Sequence, residues 1–120
     1  MYTPWEIICH LFRIIWLNSL HWILVIVGIL SIHVRMPGNR SLKDKRRIVK
    51  SLLKRVQNRH SVAIAEIGYQ EYRDSALLGF CCITTQTSHA HSMLDNVLAF
   101  VASIYPEIEV SPESREILRL

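Results

Sequence analysis

The pattern of apolar and polar positions breaks five times between the first strand and the last, and each break marks a boundary between expected elements. From Gly28 to Met36 they alternate: Leu30, Ile32, Val34 and Met36 fall on one side, Ser31, His33 and Arg35 on the other. Period two belongs to a strand with one buried face. Val25 to Val34 is rich in β-branched residues and Pro37-Gly38 is a turn signal, so a strand is expected over Leu24–Met36. Beyond the turn the period becomes helical. Ser41 supplies an N-cap, Asp44 takes the place of the capping-box acid, and Leu42, Val49, Leu52, Leu53 and Val56 share one arc. Lys45 falls inside that arc, where its stem packs and its ammonium needs an exit or a carboxylate.

Ser61–Gly68 reads as a second strand with Glu66 as an internal acid, and Tyr69–Asp74 as a polar connection. Ser75–Thr85, apolar on both faces, reads as a central strand. A cap at Thr87 or Ser88 opens a second helix with Met93, Val97, Phe100, Val101 and Ile104 on one face. Pro106 ends it, and Ile108–Val110 with Glu116–Leu118 beyond Pro112 provides the last strand material. The order βαββαβ predicts an α+β, ferredoxin-like sandwich: a four-stranded antiparallel sheet with both helices on one face.

Composition agrees with a single core. At 120 residues, half of them hydrophobic and 20% charged, the chain is neither disordered nor collagen-like. Its net charge of +4 hides a strong asymmetry. Arg40, Lys43, Lys45, Arg46, Arg47, Lys50, Lys54, Arg55 and Arg59 accompany a single acid, Asp44, for a local +8 against −4 elsewhere. Three cysteines, an odd number without a framework, point to a reducing compartment and so to the cytoplasm.

The beginning of the chain pulls the other way. Ile14 to Val34 holds no Asp, Glu, Lys or Arg for 21 residues, long enough to nominate a membrane span. The alternation from Gly28 assigns much of that run to a strand, and upstream of it Glu6 and Arg13 oppose insertion; a central Arg costs about 3 kcal/mol. Ile7, Ile8, Leu11, Phe12 and Ile15 follow helical spacing. The chain therefore divides into an apolar extension, 1–22, and a ferredoxin-like domain, 23–120. The extension reads as the product of a start codon placed too far upstream, as a helix docked on the protein or lying at a membrane interface, or as a true anchor; in the membrane cases membrane association replaces the cytoplasmic expectation.

The stretch VGILSIHVRMPGNRSLKDKRRIVKSLLKRVQNRHSVAIAEIG, then SALLGF and the closing SREIL, resembles the YlxP-like family of small bacterial proteins of unknown function. The resemblance covers residues 25 to 118 and is most specific from Pro37 to Arg46. It implies a ferredoxin-like fold. Members commonly begin with the first strand and are encoded beside translation-initiation and ribosome-maturation factors, which implies a role near rRNA or a ribosomal assembly. No catalytic residue carries over.

A binding module without enzymatic activity is the expected function. Lys43, Arg47, Lys50 and Lys54 form a stripe at i, i+4, i+7 and i+11, with Arg40 at the helix entrance, a spacing suited to phosphates along an RNA backbone. Stacking of bases on the sheet has less to work with, since only Phe80 offers a strand platform. The competing class is a homodimer or protein-interaction module joined through the second sheet face. A third reading takes Gly38, Asn39, Arg40 and Ser41 as an anion loop at the helix start, as in small acyl-phosphate hydrolases, but the Ser75–Thr85 strand lacks the Asn that such enzymes use. No metal site is expected: His89 and His91 diverge on a helix, and Cys81 and Cys82 point to opposite faces of a strand. No cofactor is expected. Glu66, Tyr69, Glu71 and Tyr72 read either as a polar contact site or as an ordinary surface loop.

Overall fold

Alternation from Ile26 onward becomes the centre of a sheet in the computed structural model, which describes residues 3–9, 11 and 24–120. The elements are β1 (Ile26–Arg35), α1 (Leu42–Arg59), β2 (Ala63–Gly68), β3 (Ser75–Thr84), α2 (Thr87–Ile104) and β4 (Glu109–Arg119). The sheet order is β2-β3-β1-β4, and every neighbouring pair is antiparallel. β1 and β3 are the inner strands, as their apolar character predicts. The fold is the ferredoxin-like sandwich expected from the element order.

One face of the sheet makes the core. Ile26, Leu30, Ile32 and Val34 of β1 stand beside Phe80, Leu78 and Ala76 of β3, in the register Leu30↔Phe80 and Ile32↔Leu78. Val49, Leu52 and Val56 of α1 and Ala90, Leu94, Val97 and Val101 of α2 close over them. Gly28 sits in this face because nothing larger fits. A Cβ there would lie 2.9 Å from Cys82 Sγ and 3.1 Å from Leu94 Cδ1, so the approach of α2 to β1 needs the missing side chain.

The turn after β1 follows its sequence. Asn39 N–H donates to the carbonyl of Met36, and Gly38 takes φ +80, the arrangement of a type II turn with Pro37 at its second position and glycine at its third. Ser41 then caps α1, its Oγ accepting from the Asp44 N–H at 3.0 Å.

Three expectations need correction. The N-cap of α2 is Gln86, one residue before the expected Thr87 or Ser88, and its side chain makes no capping bond. The fully buried line of α2 is Ala90, Leu94, Val97 and Val101, while Met93, Phe100 and Ile104 are only partly buried beside it. Two helices share the sheet, so the flank of α2 that meets α1 carries apolar residues too and shifts the apparent centre of the arc. β4 is one continuous strand of 11 residues instead of two pieces around Pro112. Pro112 is tolerated because β4 is an edge strand, and the register shift opposite Ser31 and Ile32 absorbs the irregularity.

The other sheet face carries no element of the described residues. Val27 and Ile29 of β1, Leu77 and Cys81 of β3, Ile67 of β2 and Leu118 of β4 lie on it, with Ile83 72% exposed. Its apolar part is at the start of β1. Toward the end of β1 it turns polar, with His33, Arg35, Ser75, Ser111 and Glu109.

Expectations for 1–22 fall largely outside the described residues. Within them, 4–9 is helical, and Thr3 and Glu6 form a reciprocal capping box: Glu6 N–H donates to Thr3 Oγ1 and Thr3 N–H to Glu6 Oε2. Trp5, Ile7, Ile8 and Leu11 are exposed there. No helix among the described residues is long and apolar enough to cross a membrane.

Candidate nucleic-acid interface

Helix α1 sorts its nine-base neighbourhood by angle. The arc that contains Val49, Leu52 and Val56 is buried against the sheet, and Lys43, Arg46, Arg47, Lys50 and Lys54 lie across the axis from it, all exposed. From Lys43 to Lys54 the stripe runs about 16 Å at 1.5 Å per residue. Arg40 is exposed just before the helix begins. The pairs Lys43 with Arg47, Arg46 with Lys50 and Lys50 with Lys54 are like charges one turn apart, each unfavourable to the helix by a few tenths of a kcal/mol. Only Asp44 offsets them, through an ion pair with Arg47 Nη2 at 2.5 Å.

The remaining bases are not equivalent to the stripe. Arg55 lies over the ring of Tyr105 at 5.4 Å and Arg59 over that of Phe100 at 5.0 Å, so both guanidinium groups lean toward the α2 side. Ser51 and Tyr105 share a hydrogen bond of 3.1 Å on the same flank. Lys45 leaves the anion-facing set altogether. It has no solvent exposure; its Nζ donates to the carbonyl of Tyr69 at 2.5 Å and stands 3.0 Å from Glu66 Oε1. The spacing places Lys45 in the apolar arc, where its ammonium needs an exit or a carboxylate, and Glu66, which faces the helices from β2, is the carboxylate it meets. Glu66 is therefore separate from Glu71 and Tyr72 on the surface.

The loop over Gly38, Asn39, Arg40 and Ser41 spends its donors internally. Asn39 Nδ2 donates to the carbonyls of Ser41 at 3.2 Å and Arg73 at 2.5 Å, tying the loop to the β2–β3 connection. Beside it, Met36, Pro37, Gly38, Asn39, Ile48, Tyr105, Glu107 and Ile108 line a cavity of about 250 Å³. Its walls are mostly apolar and its one charged group is a carboxylate, which does not suit an anion. Among the described residues no cluster of three or more His, Cys, Asp or Glu side chains could hold a metal ion. His89 and His91 diverge, the first to Thr84 Oγ1 at 3.0 Å and the second to Arg115 at 3.3 Å.

Phe80 offers no platform. It is 1% exposed and belongs to the face beneath the helices. Within the ferredoxin-like domain an aromatic pair that does reach solvent comes from the connection after β2. Tyr69, at φ 58, packs on His33 with ring centroids 5.2 Å apart, and Tyr72 meets Tyr69 edge-on at 5.4 Å. The spacing of Tyr69 and Tyr72 is visible in the sequence; the contact of Tyr69 with His33 depends on the β1–β3 register, which places Arg35 beside Ser75.

The family model described as "Protein of unknown function (DUF503)" matches residues 27–114. The chain belongs to this family. A DUF503 relative, "Uncharacterized protein YlxP" of Bacillus subtilis (strain 168), is 42% identical over 69 residues, covering 58% of this chain and 74% of its own. Among solved structures, the "De novo designed protein Foldit4" aligns with a TM-score of 0.44 at 15% identity, over 80% of this chain and 97% of its own. The DUF503 match takes in β1, α1 and the loop between them, so the basic stripe lies within the family domain.

Proposed function

We propose that this DUF503 protein is a non-enzymatic RNA-binding module that associates with rRNA or a ribosomal assembly in the cytoplasm through the exposed side of α1. The observation that carries the reading is the stripe of Lys43, Arg46, Arg47, Lys50 and Lys54, five cations on one helix side with Asp44 as the only acid in the helix. A helix that needed only a solvated face would gain stability from mixed signs at i, i+4. This one accepts repulsion along three pairs, and a polyanion relieves it. Phosphate contacts of this type give binding that is strongly salt-dependent and weakly sequence-specific.

A second reading has its own support. Ile67, Ile83 and Leu118 are exposed on the open sheet face, with Val27, Ile29 and Leu77 half-buried between them, and a second copy or a protein partner would cover them. Co-sedimentation of the full chain with ribosomal subunits separates the two. Association that disappears at high salt, and in Arg47→Glu/Lys50→Glu at low salt, supports the RNA reading. Salt-independent dimerisation with no association with RNA or ribosomal subunits contradicts it.

A further inference from the structure

We infer that the β2–β3 connection beside the start of α1 is a stacking platform for an unpaired base, which makes single-stranded RNA the preferred form of the partner. The inference rests on the RNA reading of α1 and adds a second surface to it. Two tethers fix the connection to the start of α1. Lys45 Nζ, from the first turns of α1, holds the carbonyl of Tyr69, and Asn39 Nδ2, from the loop leading into α1, holds the carbonyl of Arg73. The backbone of the connection is thus fastened at both ends to the basic element, although the residues concerned are 24 and 34 positions apart.

The chemistry at the platform differs from that on the stripe. Tyr69 is 43% exposed and Tyr72 58%, and their rings are set by contact with each other and with His33. Fixed aromatic rings with an open face are what a splayed base stacks on, whereas bases inside a duplex present only their edges. Glu71, Arg73 and Asp74 leave the connection slightly acidic, which disfavours phosphates over the rings themselves. On the far side, Glu109 and Glu113 face Arg35 and His33 from β4 at 3.7 and 3.9 Å. The rings lie with His33 on the open-sheet side and the stripe on the outer side of α1, so a single strand engages both by turning round the end of the sheet past exposed Arg40, its phosphates on the cations and a base on Tyr72. This division, cations for the backbone and neutral rings for the base, is that of a single-strand site.

The test is fluorescence anisotropy with two labelled probes, a 12-nucleotide single-stranded RNA and a 12-base-pair RNA duplex, titrated with the wild type, Tyr72→Ala, Tyr72→Phe and Lys50→Glu. Tyr72 is exposed, and thermal melts of each variant check that it remains folded. The expected result is tighter binding of the single strand than of the duplex, a loss of about tenfold on the single strand in Tyr72→Ala, and retention in Tyr72→Phe. The duplex is expected to be unaffected by Tyr72→Ala and weakened by Lys50→Glu. If salt-sensitive RNA binding persists, but Tyr72→Ala matches the wild type or the duplex binds as tightly as the single strand, the platform is overturned and the basic-helix reading survives. If neither probe binds, both fall.

Discussion

Lys45 Nζ and Glu66 Oε1 meet 3.0 Å apart between α1 and β2, with the lysine side chain fully screened from solvent and the glutamate side chain 21% exposed. A charge removed from water in this way is tolerated only while its partner and hydrogen bond remain. The same ammonium, with three N–H groups to place, also donates to the carbonyl of Tyr69. One buried lysine therefore joins α1, β2 and the connection that follows β2.

Lys45→Met is expected to lower stability by about 3 kcal/mol, because it strands Glu66 in a largely buried position and frees the Tyr69 carbonyl. The double variant Lys45→Met/Glu66→Leu is expected to recover most of that loss. Urea unfolding of the two single variants and the double variant measures the coupling; a double variant as unstable as the sum of the singles would contradict it.

Gly28→Ala is expected to cost about 1–3 kcal/mol, since its Cβ would sit 2.9 Å from Cys82 Sγ and 3.1 Å from Leu94 Cδ1. Cys82→Ala in the same chain removes the sulfur and leaves Leu94, so partial recovery is expected. Thermal melts of the single and double variants check both parts.

Burial pushes the Cys82 thiol up from its ordinary value of 9.0; the nearby Cys81 adds to the rise, and the backbone hydrogen bond at Gly28 opposes it. The folded protein then holds this proton more tightly than the unfolded chain does. The corresponding stability is present in full below pH 9.0 and is lost as pH rises through the raised value. Thiol-reagent kinetics on the folded protein are expected to show exposed Cys9 reacting before buried Cys82 at every pH from about 7 to about 9. Equal rates would contradict the burial of Cys82.

Much of the scaffold was legible because it depends on local periods. Alternation located β1, and the helical arc of Leu42, Val49, Leu52, Leu53 and Val56 located α1 and placed Lys45 on its buried side. What stayed hidden depends on register and on neighbours. Phe80 reads as an available aromatic until the alternation of β3 is assigned to a face by Leu30↔Phe80. The partial withdrawal of Arg55 and Arg59 depends on where Tyr105 and Phe100 of the α2 region come to rest. The link from Asn39 to Arg73 likewise joins two loops whose proximity no local pattern encodes.

Lys43 stands in the first turn of α1, where a cation opposes the helix dipole, and one turn before Arg47. Lys43→Glu is expected to stabilise the fold by about 0.5 kcal/mol at low ionic strength, with the gain shrinking in salt, and to weaken RNA binding in the same buffer. Stability gained with affinity lost is the signature of a charge kept for a partner. A destabilised variant with unchanged affinity would contradict that role.

The central claim, that the cations of α1 neutralise RNA phosphates, is tested most directly by the slope of log binding constant against log salt concentration for an rRNA fragment. The wild type is expected to show a steep negative slope, and Lys50→Glu and Lys54→Glu are each expected to make it shallower by about one unit. Binding that ignores salt, or a slope unchanged by both reversals, would contradict it.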